Sequence, residues 1–268
     1  MVELGVGKNM VRSIRFWSQA VGIATSSKRY GHAVTPFGEM LLREGAGLDP
    51  FLEDIRTLWL IHWQLSTNVQ SPLLAWDFLL NHWQQPELVP SRVLTALQRE
   101  ATKGGEEISA ITIEHHFDTF LHSYVPTRGR KGNVQEDNLD CPLVELELIT
   151  KSDRSAGKSE PIYAFRREEK AEITMELFAY CLNEFWDKRH PTEATLQFQA
   201  VAHGHGSPGQ IFKLPEDDIR LRLEMLADRA TGLFTYTESA SQQLLRRNRR
   251  KDGRELLREV YEVETARV

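Results

Sequence analysis

Cysteine is scarce. Cys141 and Cys181 are the only two in 268 residues, which is neither the number nor the spacing of a disulfide framework or a zinc site, and suits a reducing compartment. No apolar run approaches the roughly 20 residues that a membrane-spanning helix requires. The opening MVELGVGKNM also lacks the apolar core of a secretion signal, so the expected location is the cytoplasm. Excess positive charge is missing too. A net charge of -5 and a pI near 6.0 exclude a broadly polybasic nucleic-acid binder, and any contact with DNA must be local. GxxxxGKS/T, GxSxG and HExxH are all absent, which excludes a P-loop, a hydrolase elbow and a zincin helix. No fixed-period repeat marks a solenoid. What the chain does have is 41% apolar and 26% charged residues, enough for a sizeable core.

Periodicity predicts a helix at about 8–22, a hairpin near 23–35 and a helix from Pro36 to Arg43, ending at the glycines 45 and 47. Pro50 to Gln85 reads as the main helical core, with Trp59, Trp63, Trp76 and Trp83 among leucines. Two helices follow, Pro90 to Thr102 and Ser109 to Tyr124, then strands at Leu143 to Ile149 and Ile162 to Arg166. Thr174 to Lys188 is helical. Thr195 to Ala202 reads as helix, GHGSPG as a tight loop, Pro215 to Ala230 as helix and Leu233 to Thr237 as strand. The expected class is mainly α with small β-hairpins (α+β), as tandem winged helix-turn-helix-like units around a Trp-rich helical core. The divisions are 1–45, an incomplete winged helix-turn-helix; 46–170, the helical core with a second unit; and 171–268, a helical unit with a third hairpin.

The first helix carries the sharpest pattern. Lys8, Arg12, Arg15 and Gln19 form one row, with Met10, Ile14, Trp17 and Val21 opposite. Arg and Gln read base edges and Lys serves phosphates, so the row, with Asn9, is the candidate DNA face; a solvated helix face is the bland alternative. Gly5 and Gly7 supply the preceding turn. IATSSKRYGHAVTP fits a wing with Lys28, Arg29 and His32 at its tip. Charge is segregated: residues 1–31 hold five Lys or Arg and one Glu, whereas 39–54 hold five acids and one Arg. A helix-turn-helix places two helices before its recognition helix, yet only MVELGV precedes the turn, so the chain reads as N-terminally truncated.

Elsewhere the patterns favour packing. Ile113, Phe117, Phe120 and Tyr124 form the inner row of their helix, leaving Thr112, His115, His116, Thr119 and Ser123 outside with Glu114 and Asp118. His203 and His205 could face one ligand but lack a third donor nearby in sequence, and a Gly-rich turn is the plainer reading. RRNRRK at 246–251 is either a phosphate contact or a solvated helix end. Acids cluster at Glu136, Asp137, Asp140, Glu145 and Glu147. Converging carboxylates can hold Mg²⁺ or Mn²⁺ against a phosphodiester, and on a strand Glu145 and Glu147 share a face. Asp140, Glu145 and Glu147 are therefore the catalytic candidates, against the default of a solvated wing. The lysine that often completes such a set is displaced, Lys151 being four past Glu147.

LGVGKNMVRSIRFW, TPFGEMLL, LEDIRTLWLIHWQL, EDNLDCPLVEL, LFAYCL at Leu177 to Leu182 and GSPGQIFKL together resemble, over nearly the whole chain, the SspB-like family of bacterial DNA phosphorothioation and phage-defence systems, long catalogued as a domain of unknown function. The resemblance implies action on double-stranded DNA beside a cysteine desulfurase, an ATP-using sulfurtransferase and an ATPase, with the SspB-like member nicking DNA so that sulfur can enter the backbone. It also implies a further N-terminal segment before LGVGKN, and transfers no catalytic residue. The alternatives are a non-enzymatic DNA-binding adaptor or transcriptional regulator, and a protein-interaction scaffold of degenerate winged helices.

Overall fold

The computed structural model describes residues 5–27, 31–103, 105, 108–126, 141–152, 160–229 and 232–262. Helix α1 (Lys8–Ala20) leads into an antiparallel hairpin, β1 (Ala24–Ser27) and β2 (Gly31–Val34), and then α2 (Pro36–Leu42). Thr35 starts α2 by accepting the Gly38 N–H, and Pro36 fills the first helical position. Helix α3 (Ile55–Ser66) begins at Asp54, whose carboxylate caps the Arg56 N–H. Helix α4 (Leu74–Asp77) widens into a π-turn over Phe78–His82, closed by a bond from Trp83 N–H to Phe78 O.

The rest of the chain repeats one connectivity. After α4 and the π-turn come strand β3 (Glu87–Leu88), helices α5 (Pro90–Lys103) and α6 (Ala110–Tyr124), and strands β4 (Ile149–Lys151) and β5 (Tyr163–Phe165), in a sheet of order β3-β5-β4. After α7 (Met175–Arg189) come β6 (Thr195–Gln197), short helices α8 (Phe198–His203) and α9 (Pro208–Phe212), α10 (Glu216–Asp228), and strands β7 (Phe234–Glu238) and β8 (Gln243–Arg247), in a sheet of order β6-β8-β7. In both, a helix, a strand, two or three helices and a hairpin follow one another, and the first strand pairs with the last. Helix α11 (Gly253–Glu262) packs on α7 and is tied to α3 by Arg56, which donates to Val260 O at 2.7 Å, and by the Thr57 and Tyr261 hydroxyls at 2.6 Å.

The α+β expectation holds, with four local corrections. Leu143 to Ile149 is not a strand: Pro142–Leu146 forms a 3-10 turn, since Pro142 at its first position favours a helical start, and Glu147 follows in the left-handed region at φ 46°. Thr195 to Gln197 is strand rather than helix, because Leu196 pairs with Leu245. The GHGSPG loop continues into α9, capped by Ser207. RRNRRK is no helix end: Arg246 and Arg247 close β8, and Arg247 lies 5.0 Å over the Trp186 ring and bonds Asp187 at 2.6 Å.

All four predicted core tryptophans are buried, and a polar network runs through their midst. The Trp76 indole N–H donates to the Tyr124 hydroxyl at 2.9 Å; that hydroxyl meets His62 Nδ1 at 2.7 Å, and His62 Nε2 reaches Ile211 O at 3.0 Å. Since a carbonyl only accepts, Nε2 carries the proton, Nδ1 accepts from Tyr124, and the tyrosine oxygen accepts from Trp76. Every member is paired in one consistent direction, joining α3, α4, α6 and α9. Gly209 is a close-approach position: a Cβ there would lie 2.2 Å from Ala202 O. Lys213, fully buried, caps α9 in the left-handed region and donates to Leu80 O of the π-turn at 2.5 Å.

Two outcomes are expected. Tyr124→Phe leaves the Trp76 N–H without a partner and His62 Nδ1 with only the Ser66 hydroxyl at 3.5 Å, and lowers unfolding free energy in urea by about 1–3 kcal/mol. Burial pushes the His62 imidazole down to about 4. The unfolded chain therefore binds an extra proton between its usual pKa near 6.5 and about 4, and stability contributed by His62 is whole above the upper value and declines as pH falls through that window, by about 3 kcal/mol in all. Unfolding curves across that pH range check this, with the dependence weakened in His62→Gln.

Candidate functional site

Three helices precede an antiparallel hairpin: α1 and α10 by a short link, and α6 with the Pro142–Leu146 turn in between. They differ sharply in charge. Helix α1 carries Lys8, Arg12 and Arg15 and no acid; α6 carries Glu114 and Asp118 and neither Lys nor Arg; α10 has five acids against two arginines, three of the acids in its first turn. Of these three, only α1 is net cationic.

Lys8, Asn9, Arg12 and Arg15 are all exposed, and among the described residues no carboxylate pairs with the three cations. The start of α1 has no side-chain cap and no acid in its first turn, so its free N–H groups add their positive end to the cationic row. Gly5, at φ 62°, makes the turn before it. Gln19 is occupied: its amide meets His32 Nδ1 at 3.0 Å, tying the end of α1 to β2. His32 thus fixes the hairpin against the helix that it accompanies. Lys28 and Arg29 lie outside the described residues.

The other side of α1 departs from the sequence reading. Trp17 meets Trp76 edge to face at 5.9 Å and Val21 is buried, but Met10 and Ile14 are 56% and 48% exposed, because only the C-terminal half of α1 rests on the core. Phe16 is exposed as well, and with Trp17, Leu73 and Trp76 it walls a cleft of about 320 Å³ that His115 and His116 close from α6. On α6 the inner row is as expected, except that Ser123 is buried and bonds back to Thr119 O.

Among the acidic candidates, Asp140, with Glu136 and Asp137, falls outside the described residues. Glu145 is exposed on the 3-10 turn and Glu147 just beyond it, so they do not share a strand face. Glu147 instead lines a cleft of about 690 Å³ with Asp118, His122, Lys151 and Tyr163. Sequence reasoning set Asp118 aside as a neutralising charge on a packing helix; only the fold places it in the same cleft as Glu147. Burial raises the Tyr163 hydroxyl above its ordinary value, with Asp118 adding to the effect.

The two histidines of AHGHG part company. His203 Nε2 bonds Glu216 at 2.6 Å, whereas His205 Nε2 bonds Asp77 at 2.8 Å, beside His82. Burial alone would raise the Asp77 carboxyl, but the bond from His205 and the charges of His205, His82 and Arg189 hold it below the usual carboxylate value. The third donor that is missing nearby in sequence sits 128 positions upstream of His205, on α4.

A mixed α+β chain with small antiparallel sheets is the class so defined. The chain belongs to the DUF4007 family, described as proteins of unknown function, whose profile matches residues 1–261. Its fold is similar to that of SspB: two SspB crystal structures, one of them magnesium ion-bound, align with a TM-score of 0.81 and 25% identity over 97% of this chain and 78% and 76% of theirs. The SspB-like resemblance carried by the sequence motifs is thus met in three dimensions. No curated protein matches the sequence significantly. Among the described residues no helix is long and apolar enough to cross a membrane.

Proposed function

We propose that this chain is a double-stranded DNA-binding component of a DNA phosphorothioation and phage-defence system, gripping the duplex with α1 and its hairpin. The observation that carries this reading is the charge contrast among the three helices that precede hairpins: of α1, α6 and α10, only α1 offers unpaired cations. The connectivity supports it. A helix followed by an antiparallel hairpin is the part of a winged helix that α1, β1 and β2 supply, and the helix before the hairpin is the one that enters the major groove. On that reading Arg12 and Arg15 reach base edges, Lys8 and the open N-terminus of α1 meet phosphate, and the Gln19 to His32 bond sets the wing.

The likeness to SspB supports the pathway, which on the family resemblance includes a cysteine desulfurase, an ATP-using sulfurtransferase and an ATPase as partners. A nicking activity is the finer reading. The cleft of Asp118, His122, Glu147 and Lys151 favours it, since the two carboxylates offer the oxygen donors that Mg²⁺ or Mn²⁺ takes. Such an ion supplies charge stabilisation at a phosphodiester; Lys151 adds a cation for phosphate and His122 a group able to move a proton. A non-enzymatic adaptor or transcriptional regulator uses the same α1 face without this cleft.

Fluorescence anisotropy with a labelled duplex tests the grip. Arg12→Ala and Arg15→Ala together should weaken binding by about 10-fold or more and reduce the slope of log affinity against log salt by about 0.9 for each phosphate no longer neutralised; unchanged affinity removes α1 from the interface. For nicking, supercoiled plasmid with Mg²⁺ or Mn²⁺ should relax to open circle, and Asp118→Ala or Glu147→Ala should abolish this with DNA affinity intact. A folded protein that binds duplex but never nicks leaves the adaptor reading.

A further inference from the structure

One cluster of side chains lies outside both the cationic helix and the acidic cleft. Asp77 ends α4, His82 ends the π-turn, and His205 stands in the loop before α9. One ligand atom from each lies within 4.8 Å of the others, the only such trio among the described residues. The His82 and His205 rings lie side by side, tilted by 47°, with centroids 5.1 Å apart. Asp77 bonds His205 at 2.8 Å but stands 4.0 Å from His82 Nε2, too far for a hydrogen bond. The ligand atoms around a tetrahedral zinc ion are roughly 3.3 Å apart, between these two separations. All three side chains are between one third and one half exposed, so an ion and water can reach them.

The backbone is arranged to make this trio. In a regular α-helix residues five apart point about 140° away from each other. The extra residue of the π-turn widens the ring, so that the fifth residue returns toward the first, placing His82 beside Asp77. Asn81 fixes the second half. Its amide donates to the Asp77 backbone carbonyl at 3.2 Å and carboxylate at 3.3 Å, while its own oxygen accepts the Gly206 N–H at 2.7 Å. One buried amide therefore orients the carboxylate and holds the loop that presents His205, as the outer partners of metal ligands do. Lys213, donating to Leu80 O, holds the π-turn itself from below. His205 Nδ1 is buried without a hydrogen-bond partner. An ordinary Asp-His ion pair explains neither His82 nor the widened turn.

We infer that Asp77, His82 and His205 bind a late first-row divalent cation of the Zn²⁺ class, with at least one position open. Two imidazoles and one carboxylate are the donor set of such ions, whereas magnesium asks for oxygen throughout. Three protein ligands leave the fourth tetrahedral position for water or an outside donor, the pattern of an open site and not of a sealed structural one. This site is separate from the Asp118 and Glu147 cleft and stands whether or not the chain nicks DNA.

Calorimetric titration of the metal-free full chain with Zn²⁺, and visible absorption with Co²⁺, test the inference. Expected are one ion per chain, tetrahedral-type Co²⁺ absorption, a raised unfolding temperature with Zn²⁺, and no heat from Mg²⁺ at these residues. His82→Ala and His205→Ala should each weaken Zn²⁺ binding by about 100-fold, and Asn81→Ala by about 10-fold to 100-fold. His203→Ala, which removes a neighbouring histidine bonded to Glu216, should leave binding unchanged. Circular dichroism identifies any variant that fails to fold, and the partly exposed His82 supplies the variant least able to disturb the core. Absence of Zn²⁺ binding to the folded chain, binding indifferent to His82→Ala, or preference for Mg²⁺ over Zn²⁺ would each overturn the site.

Discussion

The Tyr124 hydroxyl is the point on which the assembly turns. A phenol, an indole N–H and an imidazole buried together cost several kcal/mol unless each finds a partner, and here each finds one only if α3, α4, α6 and α9 meet in one arrangement. Burial that keeps His62 neutral makes the proton count work, because a charged imidazole would have two donors and would turn one of them on the tyrosine oxygen. Apolar packing supplies the bulk of the stabilisation; the network selects which packing. The same Trp76 that donates to Tyr124 receives Trp17 on its other side, so the position of α1, and with it the cationic row, is inherited from the middle of the core.

That dependence explains why α1 lies half on and half off the molecule. Trp17, Ala20 and Val21 anchor its end, whereas Met10 and Ile14 stand free. A helix held at one end presents its N-terminal turns, with Lys8, Arg12 and Arg15, outward. The units built around α6 and α10 share a three-stranded connectivity that α1 and its two-stranded hairpin lack, and their helices serve the interior or carry acid. Both charge and topology thus set α1 apart from α6 and α10.

Much of this was legible in the sequence, for reasons that can be named. The helix starts read at Pro36, Ser109 and Thr174 are real, capped by Thr35, Ser109 and Thr174, whereas the start of α3 after Asp54 was lost in the stretch from Pro50 to Gln85. The tryptophan run announced the core. The distinctive motifs prove to be constrained positions: GSPGQIFKL combines the Ser207 cap, the close approach at Gly209, the carbonyl of Ile211 that receives His62, and buried Lys213. The strands β3 and β6 escaped notice because two or three residues have no readable alternation, and their partners, Tyr163 and Leu245, are distant in sequence. For the same reason the sharing of one cleft by Asp118 and Glu147, and the bond of Asp77 to His205, could not be read. Periodicity reports neighbours along a helix; it carries nothing about groups that topology brings together.

Hydrogen–deuterium exchange of the whole chain, with and without a short duplex, tests the central claim that α1 and its hairpin form the DNA face. Slowed exchange over 8–20 and 31–34 on adding DNA, with α10 unchanged, is the expected result. Protection confined to α10 and β7–β8, with α1 exchanging as in the free chain, would contradict it.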